Sequence, residues 1–146
     1  MFAGTYRVRV DAKGRLAIPI RFRDKLPEGS HISIGPDGVL VIYTPEEFEH
    51  VAQAVPPPWQ ATEPQRQFRR TLYSLAQPCD FDGQGRVILT AEQRRYASIE
   101  TNSTVVVAGT GDLVEIWPEA SWDSYSAAAQ PRFTDLVSEV FRPDRP

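Results

Sequence analysis

Apolar and polar positions alternate from the start of the chain, with Tyr6, Val8 and Val10 on one side and Thr5, Arg7 and Arg9 on the other. A period of two predicts a half-buried strand with a basic outer face. Asp11 and Gly14 follow, and both suit a tight turn, because aspartate bonds forward to backbone N–H groups and glycine accepts a positive φ. Alternation then resumes, with Leu16 and Ile18 inward and Arg15 outward, so the pattern predicts a hairpin with a bulge at its turn. Pro19 is expected at the first position of a short helix carrying Phe22 and Leu26. Strands are expected around His31–Gly35 and Val39–Tyr43, joined by the turn Pro36-Asp37-Gly38. Thr44-Pro45-Glu46-Glu47 has the spacing of a capping box and predicts a helix that buries Phe48, Val51 and Val55.

The same order recurs further along. Asp11-Ala12-Lys13-Gly14-Arg15-Leu16-Ala17-Ile18 is echoed 71 residues later by Asp82-Gly83-Gln84-Gly85-Arg86-Val87-Ile88-Leu89. Beyond a three-residue insertion, Gly35 matches Gly109, Tyr43 matches Trp117 and Phe48 matches Trp122. An ordered series of matches indicates two copies of one unit. The second copy predicts a strand at Gln77–Phe81, a turn at Asp82–Gly85 and a return strand at Arg86–Leu89. It then predicts a capped helix from Thr90 to about Ile99, strands at Thr104–Ala108 and Leu113–Trp117, and a helical segment opened by Trp122. Between the copies, Pro56-Pro57-Pro58 stops the first helix. A linking helix is expected over Glu63–Leu75, with Phe68, Leu72 and Leu75 as its apolar side and Arg66, Arg69 and Arg70 on one face. The division is therefore 5–47 for the first unit, 48–75 for a helical linker, 76–119 for the second unit and 120–146 for a C-terminal helical segment and tail. The last stretch includes an amphipathic run, Thr134–Phe141, and an end, Arg142–Pro146, that is expected to be mobile or ordered by assembly.

Composition narrows the class. The chain has 146 residues, 41% hydrophobic and 24% charged, enough apolar content to fold rather than stay disordered. No apolar run approaches the ~20 residues that cross a bilayer, and Arg7 and Arg9 interrupt any secretory signal, so a cytoplasmic location away from membranes is expected. Cys79 is the only cysteine, and His31 and His50 are the only histidines. No disulfide framework, metal site or cofactor is expected from them. Neither a P-loop nor a dinucleotide fingerprint is present, and Glu46-Glu47 reads as helix N-terminal charge. An enzyme is not expected. Trp59, Trp117 and Trp122 read as core or interface.

Net charge is −3, which argues against a polyanionic partner until its distribution is considered. Residues 1–25 carry +5, 26–65 carry −6, 66–95 carry +3 and 96–146 carry −5. Such blocks can neutralise one another in the fold, or leave basic patches whose local field governs binding within about 10 Å. Turn chemistry accounts for Asp and Gly in the repeated Asp-x-x-Gly-Arg, and the arginine could pair with its aspartate. It does not account for arginine after glycine twice. Guanidinium groups fixed at a turn match phosphate oxygens or a guanine edge. Arg7, Arg9, Lys13 and Arg15 are expected to share one exposed surface lacking acidic neighbours other than Asp11, whose role is to cap the turn and orient Arg15.

Met1-Phe2-x-Gly4, Asp11-Ala12-Lys13-Gly14-Arg15-Leu16-x-Ile18-Pro19, Asp82-x-x-Gly85-Arg86 and Glu115-Ile116-Trp117 together resemble the MraZ family of bacterial transcriptional regulators over roughly residues 1–125. The resemblance implies an α+β fold of two tandem AbrB/SpoVT-like swapped-hairpin units forming an intrachain pseudo-dimeric barrel. It implies ring-like homo-oligomers, binding of double-stranded DNA at direct repeats in the promoter of the chain's own division and cell-wall gene cluster, repression, and association with the nucleoid. The DNA-binding residues it implies are Asp11, Lys13, Gly14 and Arg15, with Asp82, Gly85 and Arg86 as a second copy; the alternation adds Arg7 and Arg9. Pro78, Asp80 and Gln84 stand where the first copy has Arg7, Arg9 and Lys13, so the second copy is expected to serve mainly as scaffold and subunit interface. The rival reading is an antitoxin-like protein-interaction module of the same superfamily, whose acidic block 26–65 would face a basic partner.

Overall fold

Two segments of the chain are apolar without interruption, Leu40–Tyr43 and Val105–Ala108. Unbroken apolar strands belong where both faces of a sheet are covered, and both lie there in the computed structural model, which describes residues 1–142. Eight strands form in chain order: β1 (Phe2–Arg9), β2 (Arg15–Ala17), β3 (His31–Ile34), β4 (Leu40–Tyr43), β5 (Gln77–Pro78), β6 (Arg86–Ile88), β7 (Thr104–Gly111) and β8 (Val114–Pro118). Six of them make one antiparallel sheet in the order β1-β7-β8-β4-β3-β5, and β2 pairs with β6 in a separate two-stranded ribbon. The helices are α1 (Ile20–Arg23), α2 (Pro45–Gln53), α3 (Glu63–Ser74), α4 (Ala91–Ala97), α5 (Glu119–Ala129) and α6 (Phe133–Val140). The class is α+β, as expected. The sheet runs between two edges, and the described strands do not close into a barrel.

The ribbon, α1 and α4 cover one face of the sheet. Leu16, Ile18, Phe22, Val87, Leu89 and Ala97 share a buried cluster there with Ile32, Ile42, Val105 and Ile116. On the opposite face Val39, Val41, Tyr43, Val106 and Trp117 are buried with Leu72 of α3, and Phe48, Val51 and Trp122 pack against them from α2 and α5. Phe48 stacks on His31 at 5.2 Å between ring centroids, and Trp117 meets Trp122 edge-on at 5.3 Å. The central strands β4 and β7 thus alternate between two buried faces, while the edge strands β1 and β5 keep an exposed one.

The hairpin expected at Asp11–Gly14 does not form as a ladder. Two backbone bonds close the turn, from Asp11 N to Arg15 O at 2.8 Å and from Gly14 N to Asp11 O at 3.1 Å, and the flanking strands then part. β1 pairs along its length with β7, from Phe2↔Gly111 to Arg9↔Thr104, and β2 pairs with β6. The second unit does the same, sending β5 to β3. Each unit's leading strand therefore pairs with a strand of the other unit, because burying both faces of one shared sheet removes more apolar surface than two separate hairpins could.

Smaller corrections follow local chemistry. The strand expected over Gln77–Phe81 pairs only at Gln77–Pro78, since Pro78 has no N–H for a ladder. Pro19 caps α1 with an extended backbone rather than occupying its first turn. α5 begins at Glu119, three residues before Trp122. Val51 and Val55 are half-buried, Phe68 is exposed on α3, and Trp59 is 89% exposed, which removes the core half of its core-or-interface reading. Thr62 and Thr90 complete capping boxes with Gln65 and Gln93. Thr44 accepts from Glu47 N alone among the described bonds. Of the expected mobile end, residues 143–146 lie outside the described residues.

Candidate nucleic-acid interface

The two turns have one geometry. Asp11 Oδ1 accepts from the backbone N–H groups of Lys13 and Arg15, both at 2.9 Å, while Oδ2 accepts from Arg15 Nε at 2.8 Å. Asp82 Oδ1 accepts from Gln84 N at 2.8 Å and Arg86 N at 3.0 Å, and its Oδ2 from Arg86 Nε at 2.9 Å. The carboxylates are held below the ordinary aspartate range, first by the backbone N–H of the following arginine. The aspartate of each turn therefore occupies its arginine's Nε and leaves that arginine's terminal nitrogens outside the turn's own bonds. Arg15 keeps 33% of its side chain exposed and Arg86 28%. Pairing with Asp11 orients Arg15 without closing it off from solvent.

Gly14 and Gly85 have φ of 82° and 73°, a conformation glycine adopts without steric cost. They also admit a neighbour. A Cβ at Gly14 would lie 2.9 Å from Arg94 Nε and 3.0 Å from Leu89 O, and one at Gly85 would strike the Arg23 guanidinium. Arg23 and Arg94 occupy matching positions of α1 and α4, so the arginine of each unit lies over the turn of the other. The sequence reading missed both, although the 71-residue offset that joins the turns also joins this pair. Gly14 O accepts from Leu89 N at 2.9 Å, and Gly85 O accepts from Ile18 N at 3.1 Å.

These cross-bonds bring the two copies together. Leu16 faces Val87 in the ribbon, Arg15 faces Ile88 and Ala17 faces Arg86, a register symmetric about its centre. Arg86 Nη1 lies 3.7 Å from Asp11 Oδ2, so the second turn is next to the first instead of remote from it. Arg9 and Lys13 are exposed and stand outside ion pairs among the described residues. Arg7 does not share that freedom. Its Nη1 meets Glu119 Oε2 and its Nη2 meets Asp123 Oδ1, both at 2.8 Å, and these carboxylates raise its pKa further. The surface expected to lack acidic neighbours thus ends at Arg7, because the covering helix α5 supplies two.

Among the described residues no group of three or more His, Cys, Asp or Glu side chains converges as metal ligands. Burial pushes the Cys79 thiol up to about 12, away from nucleophilic use. No helix among the described residues is long and apolar enough to cross a membrane.

Comparison with known proteins extends the match over nearly the whole chain. A family model described as "MraZ protein, putative antitoxin-like" matches residues 1–70 and again 72–142. A protein of Nocardia farcinica named transcriptional regulator MraZ is 39% identical over 139 residues, covering 95% of this chain and 96% of its own. One from Mycobacterium sp. (strain KMS) with the same name is 37% identical over 142 residues, covering 97% and 98%. A third, from Cutibacterium acnes, is 36% identical over 141 residues, also covering 97% and 98%.

Proposed function

Since the chain belongs to the MraZ family, whose relatives are named transcriptional regulators, we propose that it is a sequence-specific DNA-binding repressor acting on direct repeats in the promoter of its own division and cell-wall gene cluster. The observation that carries this reading is the joining of both Asp-x-x-Gly-Arg turns through the β2–β6 ribbon, each arginine fixed at Nε, with both outer nitrogens of Arg15 and Nη2 of Arg86 outside the described ion pairs. Free terminal guanidinium nitrogens suit phosphate or guanine acceptors. Asp11, Lys13, Gly14 and Arg15 form the primary contact with Arg9 beside it, and Asp82, Gly85 and Arg86 extend it; Arg7 contributes by anchoring α5. The units 5–47 and 76–119 act as swapped-hairpin halves of a pseudo-dimer, a reading supported by the exchanged partners of β1 and β5. The protein works in the cytoplasm on the nucleoid, as a ring-like homo-oligomer and without a cofactor. Self-assembly has its support in α6, whose Phe133, Val137 and Val140 are exposed, along with Phe141 just beyond it.

Footprinting on the DNA upstream of the chain's own gene tests the reading. Protection should fall on repeated boxes, weaken steeply with salt and disappear in Arg15→Ala while the oligomer keeps its mass. Wild-type protection by that variant would overturn the assignment. The antitoxin-like alternative rests on the acidic block 26–65, which holds six Asp and Glu and no Lys or Arg; it predicts capture of a basic protein and no protected DNA.

A further inference from the structure

Leu16 and Val87 point into the core and are almost completely buried, so the residues on either side of each point outward. The outer face of the ribbon consists of Arg15, Ala17, Arg86 and Ile88. Ile88 is 55% exposed. Isolated exposed isoleucines are ordinary on protein surfaces; what distinguishes this one is its position. It faces Arg15 directly across the ribbon, while its repeat partner Ala17 faces Arg86. Two guanidinium groups and two apolar side chains therefore alternate over one small surface between the turns.

We propose that this face reads DNA sequence in the major groove, with Ile88, and Ala17 to a lesser extent, packed against thymine methyl groups beside the two arginines. The inference rests on the turns being the DNA interface, and deepens it. A surface that only grips phosphate needs cations and hydrogen-bond donors, and gains nothing from apolar atoms. Base edges in the major groove offer both chemistries, since guanine presents two acceptors that match a guanidinium and thymine presents a C5-methyl group. A two-stranded ribbon fits that groove. The repeat also divides the labour. Lys13 and Arg9 give the first copy its electrostatic hold, whereas the second has Gln84 in place of Lys13 and a larger apolar side chain, isoleucine where the first has alanine. Ile88 is the specificity-determining residue of the second copy.

The test uses the full-length protein and its own upstream DNA, amplified once with thymidine and once with deoxyuridine, which lacks only the methyl group. Wild type should bind the uracil fragment more weakly, by about fourfold for each thymine methyl group that packs against the ribbon. Ile88→Ala should bind the thymine fragment less tightly than wild type and show a smaller uracil penalty, with its oligomer mass unchanged. Equal binding of both fragments by wild type would overturn the proposal, as would an undiminished uracil penalty in Ile88→Ala. A smaller assembly in Ile88→Ala would assign the residue to a subunit contact and equally overturn it. If wild type does not prefer the upstream DNA over a scrambled duplex, the DNA-binding reading itself fails, an outcome distinct from the other three.

Discussion

At Asp11 and Asp82 one carboxylate does two jobs, closing a turn and aiming an arginine. Both pKa values are depressed, so the folded state favours the ionised form. The resulting stabilisation is complete above the unfolded aspartate value of about 3.9 and is lost as pH falls through the lower folded value. Thermal melts between pH 5 and pH 2.5 should show the wild-type midpoint falling, and a shallower fall in the double variant Asp11→Asn, Asp82→Asn. Equal slopes would mean that these carboxylates do not govern the acid limb. Gly14 is as constrained. Gly14→Ala forces a left-handed alanine, at a cost of about 1–2 kcal/mol, and sets its Cβ against Arg94. The urea midpoint should fall, and DNA binding should weaken more than stability alone explains.

Among elements, α4 joins most parts of the fold through one side chain. Gln93 is fully buried; its Nε2 donates to Ile32 O at 3.1 Å and Leu75 O at 2.8 Å, and its Oε1 accepts from Thr90 N at 3.1 Å. It ties α4 to β3, to the end of α3 and to its own cap. Gln93→Leu has similar volume but leaves these groups unpaired, costing about 1–3 kcal/mol for each one kept from water. Denaturant unfolding should show a lower midpoint at constant slope, while DNA affinity per folded molecule stays near wild type. The α4 cap was legible in advance, as Thr90-x-x-Gln93 is a local pattern read three residues apart. Gln93's bonds to Ile32 and Leu75 were not, because they link segments that meet only when α4 docks against the sheet.

For the whole molecule, both faces of the sheet are covered at its central strands, whereas α6 leaves an apolar side, Phe133, Val137 and Val140, exposed. Val137→Asp puts a charge on that side without touching the ribbon or the core. Light scattering should report a smaller assembly, and promoter binding should lose its cooperativity more than its single-site affinity. An unchanged mass would remove α6 from the subunit contact.

What the sequence determined by itself was local or repeated. The Asp-x-x-Gly-Arg turns, the helix caps, the two-copy organisation and the inward positions Leu16 and Ile18 all depend on neighbours within a few residues, or on a pattern written twice. Strand partnership was decided by the tertiary structure. Alternation shows which face of a strand is buried but does not name its partner, and β1 could be assigned to β7 only once a single sheet was shared by both units. The freedom of each charge was decided there too. Arg7 and Arg9 look alike in sequence, yet Arg7 meets Asp123 from the far end of the chain while Arg9 remains in solvent, because electrostatic pairing depends on distance through space, and only the packing of α5 fixes that distance.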